Sequence, residues 1–436
     1  MKNYNLRKNS EYNKYRQTKN NFYGKNSNNK KSKILYVRIF LLIIILAFIF
    51  CLIKFVFVPD KTVDVANTNL LTNSEVAQNS VNNVNSDTTS QQEPITFSLA
   101  AIGDVMCHNT QYMDAYISST DSYDFSYVFD DIQNYIESAD ISIGSLETTF
   151  AGKDRGYSNY PTFNSPEQLA YDLSEMGLDV LSTAGNHALD KGFSGLCNTL
   201  DVLDDANISH SGTYRTQEDR DSVLIKDVKG VKVAILSYTY GTNGIPVPYD
   251  KDFCVNLIDR DLIKQDIENA KSQNADVIIS CMHWGIEYQT TQNQDQEDLA
   301  NFLFQNGVDI ILGNHPHVLQ PMEKRSVTLE DGTVKDCFVI YALGNFICDQ
   351  NSENTRNSII LNLDITKNVN GKISIDKVDY VPIYMYKNSN LSIRKMKLLD
   401  IEKSISDYES GTDTSIGSST YNLLKNELEN IREIIE

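Results

Sequence analysis

Eight side chains able to bind metal fall at the ends of short apolar runs: Asp104, His108, Glu147, Asn186, His187, His283, His315 and His317. The chain has six histidines, and all but His210 lie within a few residues of such an end. Carboxylate, amide and imidazole together form a mixed oxygen and nitrogen donor set, which suits manganese, zinc or iron rather than a soft metal. A divalent ion in such a set lowers the pKa of bound water toward neutrality and offsets charge developing on a phosphoryl or acyl oxygen, which is the chemistry of hydrolysis.

Taken singly, each residue has a plainer use. Asp104 follows Gly103 and could make an Asx-turn. Glu147 could cap a helix or pair with Arg155, and Asn186 could cap the helix that follows "AGNHALDKG". Trp284, the only tryptophan, could simply pack on His283, with Glu287 four residues further on. In "GNHPHV" Pro316 disfavours helix at His315, so an extended segment would carry His315 and His317 on one side, one on the metal and one beside it. Which takes which role is open. What outweighs the plainer uses is convergence, because ligands gathered from distant segments mark a site.

The elements that must position these groups are seven apolar runs: "ITFSLAAIGD", "ADISIGSLE", "LDVLSTAGNH", "VKVAILSYTY", "ADVIISCMHWG", "VDIILGNHPH" and "CFVIYALGNF". Continuous runs of this kind suit strands buried on both faces. Stretches with helical spacing separate them. Val128, Phe129, Ile132, Tyr135, Ile136 and Ala139 form one apolar face; "SPEQLAYDLSEMG" has Ser165 as N-cap, Pro166 at the first position and Gly177 at the stop; "QEDLANFLFQNG" repeats the design, with Leu299, Phe302 and Leu303 inward and Gly307 ending it. The alternation predicts an α/β fold with a parallel or mixed sheet, whose ligand crevice lies at the carboxyl ends of the strands. Residues 356–387 instead alternate around an Asn-Gly turn and predict an antiparallel hairpin. "YNLLKNELENIREIIE" predicts a packed terminal helix.

Charge divides the chain. The first 38 residues carry eleven Lys or Arg against one acid, so the formal −19 of the whole becomes about −29 for the remainder. An acidic body excludes nucleic acid as a partner, since phosphate neutralisation needs a basic face. Residues 39–58, "IFLLIIILAFIFCLIKFVFV", are apolar but for Lys54 and are long enough for a transmembrane helix. The run exceeds the apolar core of a signal peptide, and no small-x-small cleavage site follows it. The basic flank puts the N-terminus in the cytoplasm and the rest outside the cell membrane. Residues 59–94 are rich in Asn, Ser, Thr, Gln and Asp and read as a disordered linker. The seven cysteines show no paired spacing, which favours free, buried thiols.

With these residues in view, the chain resembles the CapA family of bacterial capsule synthesis proteins, linked to poly-gamma-glutamate and similar to calcineurin-like metallophosphoesterases. The resemblance covers roughly residues 95–350. It rests on "AIGDVM" (Gly103, Asp104), "GSLE" (Glu147, with Ser145 in place of the usual Asn), "GNHALDKG" (Asn186, His187, Asp190, Gly192), "HWGIEY", "HPHVLQ" and "YALGNF", where Ala342 replaces Ser and Asn345 follows.

The resemblance implies a sandwich of mixed β-sheets flanked by helices, over residues 95–390, with 391–436 as a C-terminal extension. It implies Asp104, Glu147, Asn186, His283 and His315 or His317 as metal ligands, His187 with Asp190 as the catalytic pair, and His108, Trp284, Glu287 and Asn345 around substrate or ligands. The phosphoesterase Asp-x-His opening is absent, since Met106 stands two residues after Asp104, which leaves open one ion or two. Three functions follow from the resemblance: a membrane-anchored hydrolase acting on an anionic envelope polymer such as poly-gamma-glutamate; a non-catalytic assembly or export subunit working with membrane synthase subunits; and a generic phosphoesterase.

Overall fold

The computed structural model describes residues 93–413 and 415–435. The basic tail, the expected membrane helix and the linker up to residue 92 lie outside the described residues. Among the described residues, no helix is long and apolar enough to cross a membrane.

In chain order the strands are β1 (Ile95–Val105), a small hairpin of β2 (Tyr116–Ile117) and β3 (Ser122–Tyr123), β4 (Ile141–Leu146), β5 (Val180–Ser182), β6 (Ser209–Ser211), β7 (Leu224–Val228), β8 (Val231–Thr239), β9 (Val277–His283), β10 (Ile310–Asn314), β11 (Leu319–Thr328), β12 (Val334–Leu343), β13 (Asn345–Ile347), β14 (Asn357–Lys367), β15 (Ile373–Lys387) and β16 (Met396–Asp400). They form an eight-stranded sheet ordered β16-β15-β14-β1-β4-β5-β6, with β13 also on β1, and a six-stranded sheet ordered β11-β12-β10-β9-β8-β7. Both are mixed: β1, β4, β5 and β6 run parallel, as do β8, β9, β10 and β12, while the hairpins add antiparallel edges.

The period of two along each strand explains the layers. Phe97, Leu99 and Ala101 of β1 meet Ile279, Cys281, Ile310 and Leu312 of the other sheet in one core, while Ala100 and Ile102 face helices 168–175 and 192–205. Likewise Ile278 and Met282 of β9 pack on helices 260–272 and 294–306. The result is helix, sheet, sheet, helix, as the alternation in the sequence leads one to expect.

The carboxyl ends of the parallel strands in both sheets carry the eight residues named at the outset. Close strand approach is needed there: a Cβ on Gly103 would lie 1.9 Å from the Gly344 carbonyl oxygen. Gly103→Ala is therefore expected to cost about 3 kcal/mol through forced backbone shifts. A lowered chemical-denaturation midpoint at unchanged slope checks it.

Local differences from the sequence reading have packing reasons. The expected helix over 128–139 is split into a 3-10 turn, Ser126–Val128, and a short helix, Gln133–Glu137. Val128, Phe129, Ile132 and Ile136 are buried all the same. Phe129 stacks on Phe346 with ring centroids 6.0 Å apart, so packing on the sheet overrides helix continuity. Ser165 is not an N-cap. Its N–H goes to the Thr149 carbonyl and its hydroxyl meets Thr148, and the helix begins at Gln168. Gly177 at φ +97° does end that helix, and Gly307 at φ +116° ends Gln294–Asn306.

Residues set apart as an extension instead complete the large sheet. β16 pairs with β15, and Leu424 and Ile431 of the terminal helix, Ser418–Ile435, are buried in the inter-sheet core. The six described cysteines are free.

Candidate metal centre

Asp104 ends β1, Glu147 follows β4, Asn186 and His187 follow β5, His283 ends β9, and His315 and His317 follow β10. All seven are at most 5% exposed. Glu147 is the hub. Its carboxylate oxygens lie 3.6 Å from His317 Nδ1, 3.8 Å from His283 Nε2 and 4.0 Å from His187 Nε2. Donor atoms of Glu147, His283 and His315 fall within 4.8 Å of one another, and so do those of Asp104, Glu147 and His317.

These distances are too long for hydrogen bonds, and the consequence is a set of buried atoms with no partner. Asp104 Oδ1, both oxygens of Glu147, His283 Nδ1 and His315 Nδ1 find none among the described residues. Each unsatisfied polar atom costs about 1–3 kcal/mol, so five would cost roughly 5–15 kcal/mol, as much as a whole fold is worth. Cations placed among Glu147, His283 and His315, and among Asp104, Glu147 and His317, would give these atoms partners, and their types match the mixed donor set of a divalent transition ion. The residues present therefore fit such an ion.

Electrostatics point the same way. Burial pushes the Asp104 carboxyl up to about 7, against the opposing pull of the His315 N–H and the Ser145 hydroxyl. Burial, with Asp104, Glu287 and Asp190 nearby, holds Glu147 well above the carboxylate range. The imidazoles move the other way. Burial and neighbouring histidines take His283 well below its usual value and His315 to about 3, while burial takes His317 to about 4. Neutral imidazole is the form that binds metal, and a cation restores the ionised form of the carboxylates.

Partners beyond the hub fix the rings. Asn186 Oδ1 lies 3.1 Å from His283 Nε2, which places that proton on Nε2 and leaves Nδ1 without a partner among the described residues. Asn345 Oδ1 is 3.1 Å from His317 Nδ1, and its Nδ2 donates to the His317, Thr355 and Gln350 oxygens. Asp190 Oδ2 is 2.7 Å from His187 Nδ1 and also accepts from the Phe163 N–H. Asn243 Nδ2 stands 3.3 Å from His187 Nε2, which marks that nitrogen as an acceptor.

The "GNHPHV" segment is not extended. His315 has φ +98° and His317 φ +62°, so the chain bends at both histidines and the two rings reach the hub from a turn. Such backbone costs roughly 1–3 kcal/mol for a non-glycine residue. The His315 N–H donates to Asp104 Oδ2 at 3.0 Å and holds the turn in place.

Three expected neighbours stand elsewhere. Trp284 is a core residue: it is 2% exposed, its indole N–H donates to the Tyr341 carbonyl, and its ring packs beside Tyr341. His108 is separated from His187 by Phe163, whose ring meets both edge-on, and its Nδ1 accepts the Asp349 N–H. Glu287 is exposed in the loop after β9 and reaches Glu147 only through its charge.

The structure adds Tyr240, Asn243 and Ser145. Tyr240 ends the quoted run "VKVAILSYTY", is half exposed, and covers His315 and His283 at 4.5 and 6.3 Å between ring centroids. Ser145 stands out in the sequence only as a departure from the family pattern. No signal marks Asn243.

A family model described as bacterial capsule synthesis protein PGA_cap matches residues 98–350, more than half of the chain and all of the strand ends above. The chain belongs to this family. It is 31% identical over 218 residues to the PGA biosynthesis protein CapA of Bacillus subtilis (strain 168), a match covering 48% of this chain and 52% of that protein. It is 28% identical over 289 residues to the capsule biosynthesis protein CapA of Bacillus anthracis, covering 64% and 66%. The chain thus spans between about half and two thirds of the length of these relatives. A solved 5'-nucleotidase precursor from Thermus thermophilus aligns at 17% identity over 66% of this chain and 54% of its own, with a TM-score of 0.41, too low to carry an argument.

Proposed function

We propose that this PGA_cap protein is a membrane-anchored, extracytoplasmic hydrolase of the metallophosphoesterase type that acts on a poly-gamma-glutamate-like envelope polymer during capsule synthesis or export, using one or two divalent ions. The observation that carries the reading is the fully buried Glu147 carboxylate, with both oxygens unpartnered among three histidines. The relatives' names, PGA biosynthesis in Bacillus subtilis and capsule biosynthesis in Bacillus anthracis, support the polymer, and the apolar run of residues 39–58 supports the anchor.

Asp104, Glu147, His283, His315 and His317 would hold the metal, with the Asn186 amide beside them. When bound it supplies Lewis-acid polarisation of the scissile group and an acidified water. The protein's own part centres on His187. Asp190 accepts a hydrogen bond from Nδ1–H, so Nε2 presents its lone pair beside the hub, oriented by Asn243. From there Nε2 can accept a proton from the attacking group and return it to the leaving group. Tyr240 shields His283 and His315 from solvent on one side, which strengthens each charge interaction beneath it.

The direct test is turnover of poly-gamma-glutamate against generic phosphoesters by the full-length chain in mild detergent, with and without manganese, zinc or iron. Metal-dependent shortening of the polymer supports the reading. Polymer left intact while phosphoesters are cleaved would give the generic phosphoesterase. Export that survives His187→Ala and His283→Ala in cells would give the assembly subunit.

Metal affinity is expected to fall as pH falls, and the sign follows from which groups hold protons. Asp104 and Glu147 have raised pKa values and must lose protons to bind, whereas the imidazoles stay neutral down to about 4. Below about pH 7 the apparent dissociation constant should therefore rise roughly tenfold per pH unit for each displaced proton. Calorimetric titration in buffers of different ionisation enthalpy would show the protons released.

A further inference from the structure

Tyr240 and Asn243, which follow β8 in the six-stranded sheet, bridge two residues that follow β5 in the eight-stranded sheet, Asn186 and His187. Asn186 Nδ2 donates to the Tyr240 hydroxyl at 3.4 Å, the hydroxyl donates to Asn243 Oδ1 at 3.4 Å, and Asn243 Nδ2 lies 3.3 Å from His187 Nε2. The direction of every link follows from one end. Asp190 Oδ2 accepts from His187 Nδ1, so in the neutral ring Nε2 carries the lone pair and needs a donor. Asn243 can supply that donor only from Nδ2, which turns its Oδ1 to Tyr240 and makes the hydroxyl the donor there. The hydroxyl oxygen is then left as an acceptor, and Asn186 must meet it with Nδ2. Asn186 Oδ1 therefore faces the hub, 3.1 Å from His283 Nε2.

We infer that the Tyr240 hydroxyl is a positioning group: it keeps the Asn186 amide oxygen turned toward the metal and ties that amide to the proton carrier His187. An amide offers its oxygen on one side only, and the flipped form would aim N–H₂ at a cation. Tyr240 is the one hydrogen-bond acceptor that Asn186 Nδ2 finds among the described residues. The ring and the hydroxyl thus have separate tasks, since the ring covers His283 and His315 while the hydroxyl makes the links. Links of 3.3–3.4 Å lie at the long end for hydrogen bonds, so the effect is several-fold rather than a hundredfold. The inference rests on the metal centre and not on which bond is cleaved.

Calorimetric titration of the full-length chain in detergent with manganese, zinc or iron, each alone near pH 8 after chelator treatment, tests it. Tyr240→Phe, which keeps the ring and removes the hydroxyl, should weaken binding about three- to tenfold. Asn243→Gly should weaken it as well, although Asn243 hydrogen-bonds to no proposed ligand; its φ of +50° is open to glycine, so the loop keeps its shape. The double variant should lose no more than the larger single loss, because either change breaks the same chain. In Asn186→Asp both outer atoms are oxygens and no orientation can be lost, so adding Tyr240→Phe there should leave affinity within about twofold. If Asn186→Asp binds no metal, the double variant decides, with thermal unfolding checking the fold of each protein. Wild-type protein that binds none of the ions would remove the metal centre and this role together. Equal affinity in wild type and Tyr240→Phe, additive losses, or the same loss in the Asn186→Asp background would overturn this role alone.

Discussion

Glu147→Gln is expected to purify without its metal, with affinity for manganese, zinc or iron lowered by at least roughly 100-fold. The same substitution should leave the metal-free fold as stable as the stripped wild type, or more so. The reason is that Glu147 does nothing for the ion-free protein. Its two oxygens accept no hydrogen bond from any described residue, and burial makes its ionised form unfavourable. Glutamine has nearly the same shape and carries no charge. A structural carboxylate would behave the other way: its loss would lower the unfolding temperature of the stripped protein. Thermal unfolding of both proteins with and without metal separates the two cases.

His187→Gln is expected to lower kcat on the polymer by roughly 10²- to 10⁴-fold while metal content and KM stay within a few-fold of wild type. His187 is the one histidine of the cluster whose Nδ1 is tied to a carboxylate, at 2.7 Å from Asp190, and whose Nε2 meets an amide donor from Asn243. That arrangement fixes its tautomer without help from an ion. On the proposed function it suits a proton carrier rather than a ligand. Asp190→Asn should mimic the loss in part, because an amide N–H₂ facing Nδ1 favours the opposite tautomer and puts the proton on Nε2. Loss of metal together with turnover in His187→Gln would move this residue into the ligand set.

The strands and their order of chemistry were readable because buried parallel strands are continuous apolar runs, and most of the seven runs carry a metal-binding type of side chain at or near their end. Asp104, Glu147, Asn186, His283, His315 and His317 meet where both sheets present their carboxyl ends. What the sequence hid depends on contacts between distant segments. The bend at His315 and His317 is held by a carboxylate 211 residues away, and nothing local to "NHPH" signals φ +98°. Trp284 adjoins His283, but alternation along the strand sends it into the helix-facing layer with Tyr341. His108 lies near a strand end yet caps the short helix Asn109–Asp114, and Phe163 separates it from His187. Residues 396–435 look appended in the sequence because the hairpin before them already reads as a closing unit. Only the pairing of β16 with β15 shows that the sheet needs them.

The central claim is that the buried carboxylate and histidine cluster is a metal centre. Elemental analysis of the full-length chain, purified in mild detergent near neutral pH without chelator, tests it most directly. A metal centre predicts one or two equivalents of manganese, zinc or iron per chain, lost in Glu147→Gln. Wild-type protein that holds none of the three, and takes up none when each is added near pH 8, above the value of about 7 to which burial pushes Asp104, would contradict it.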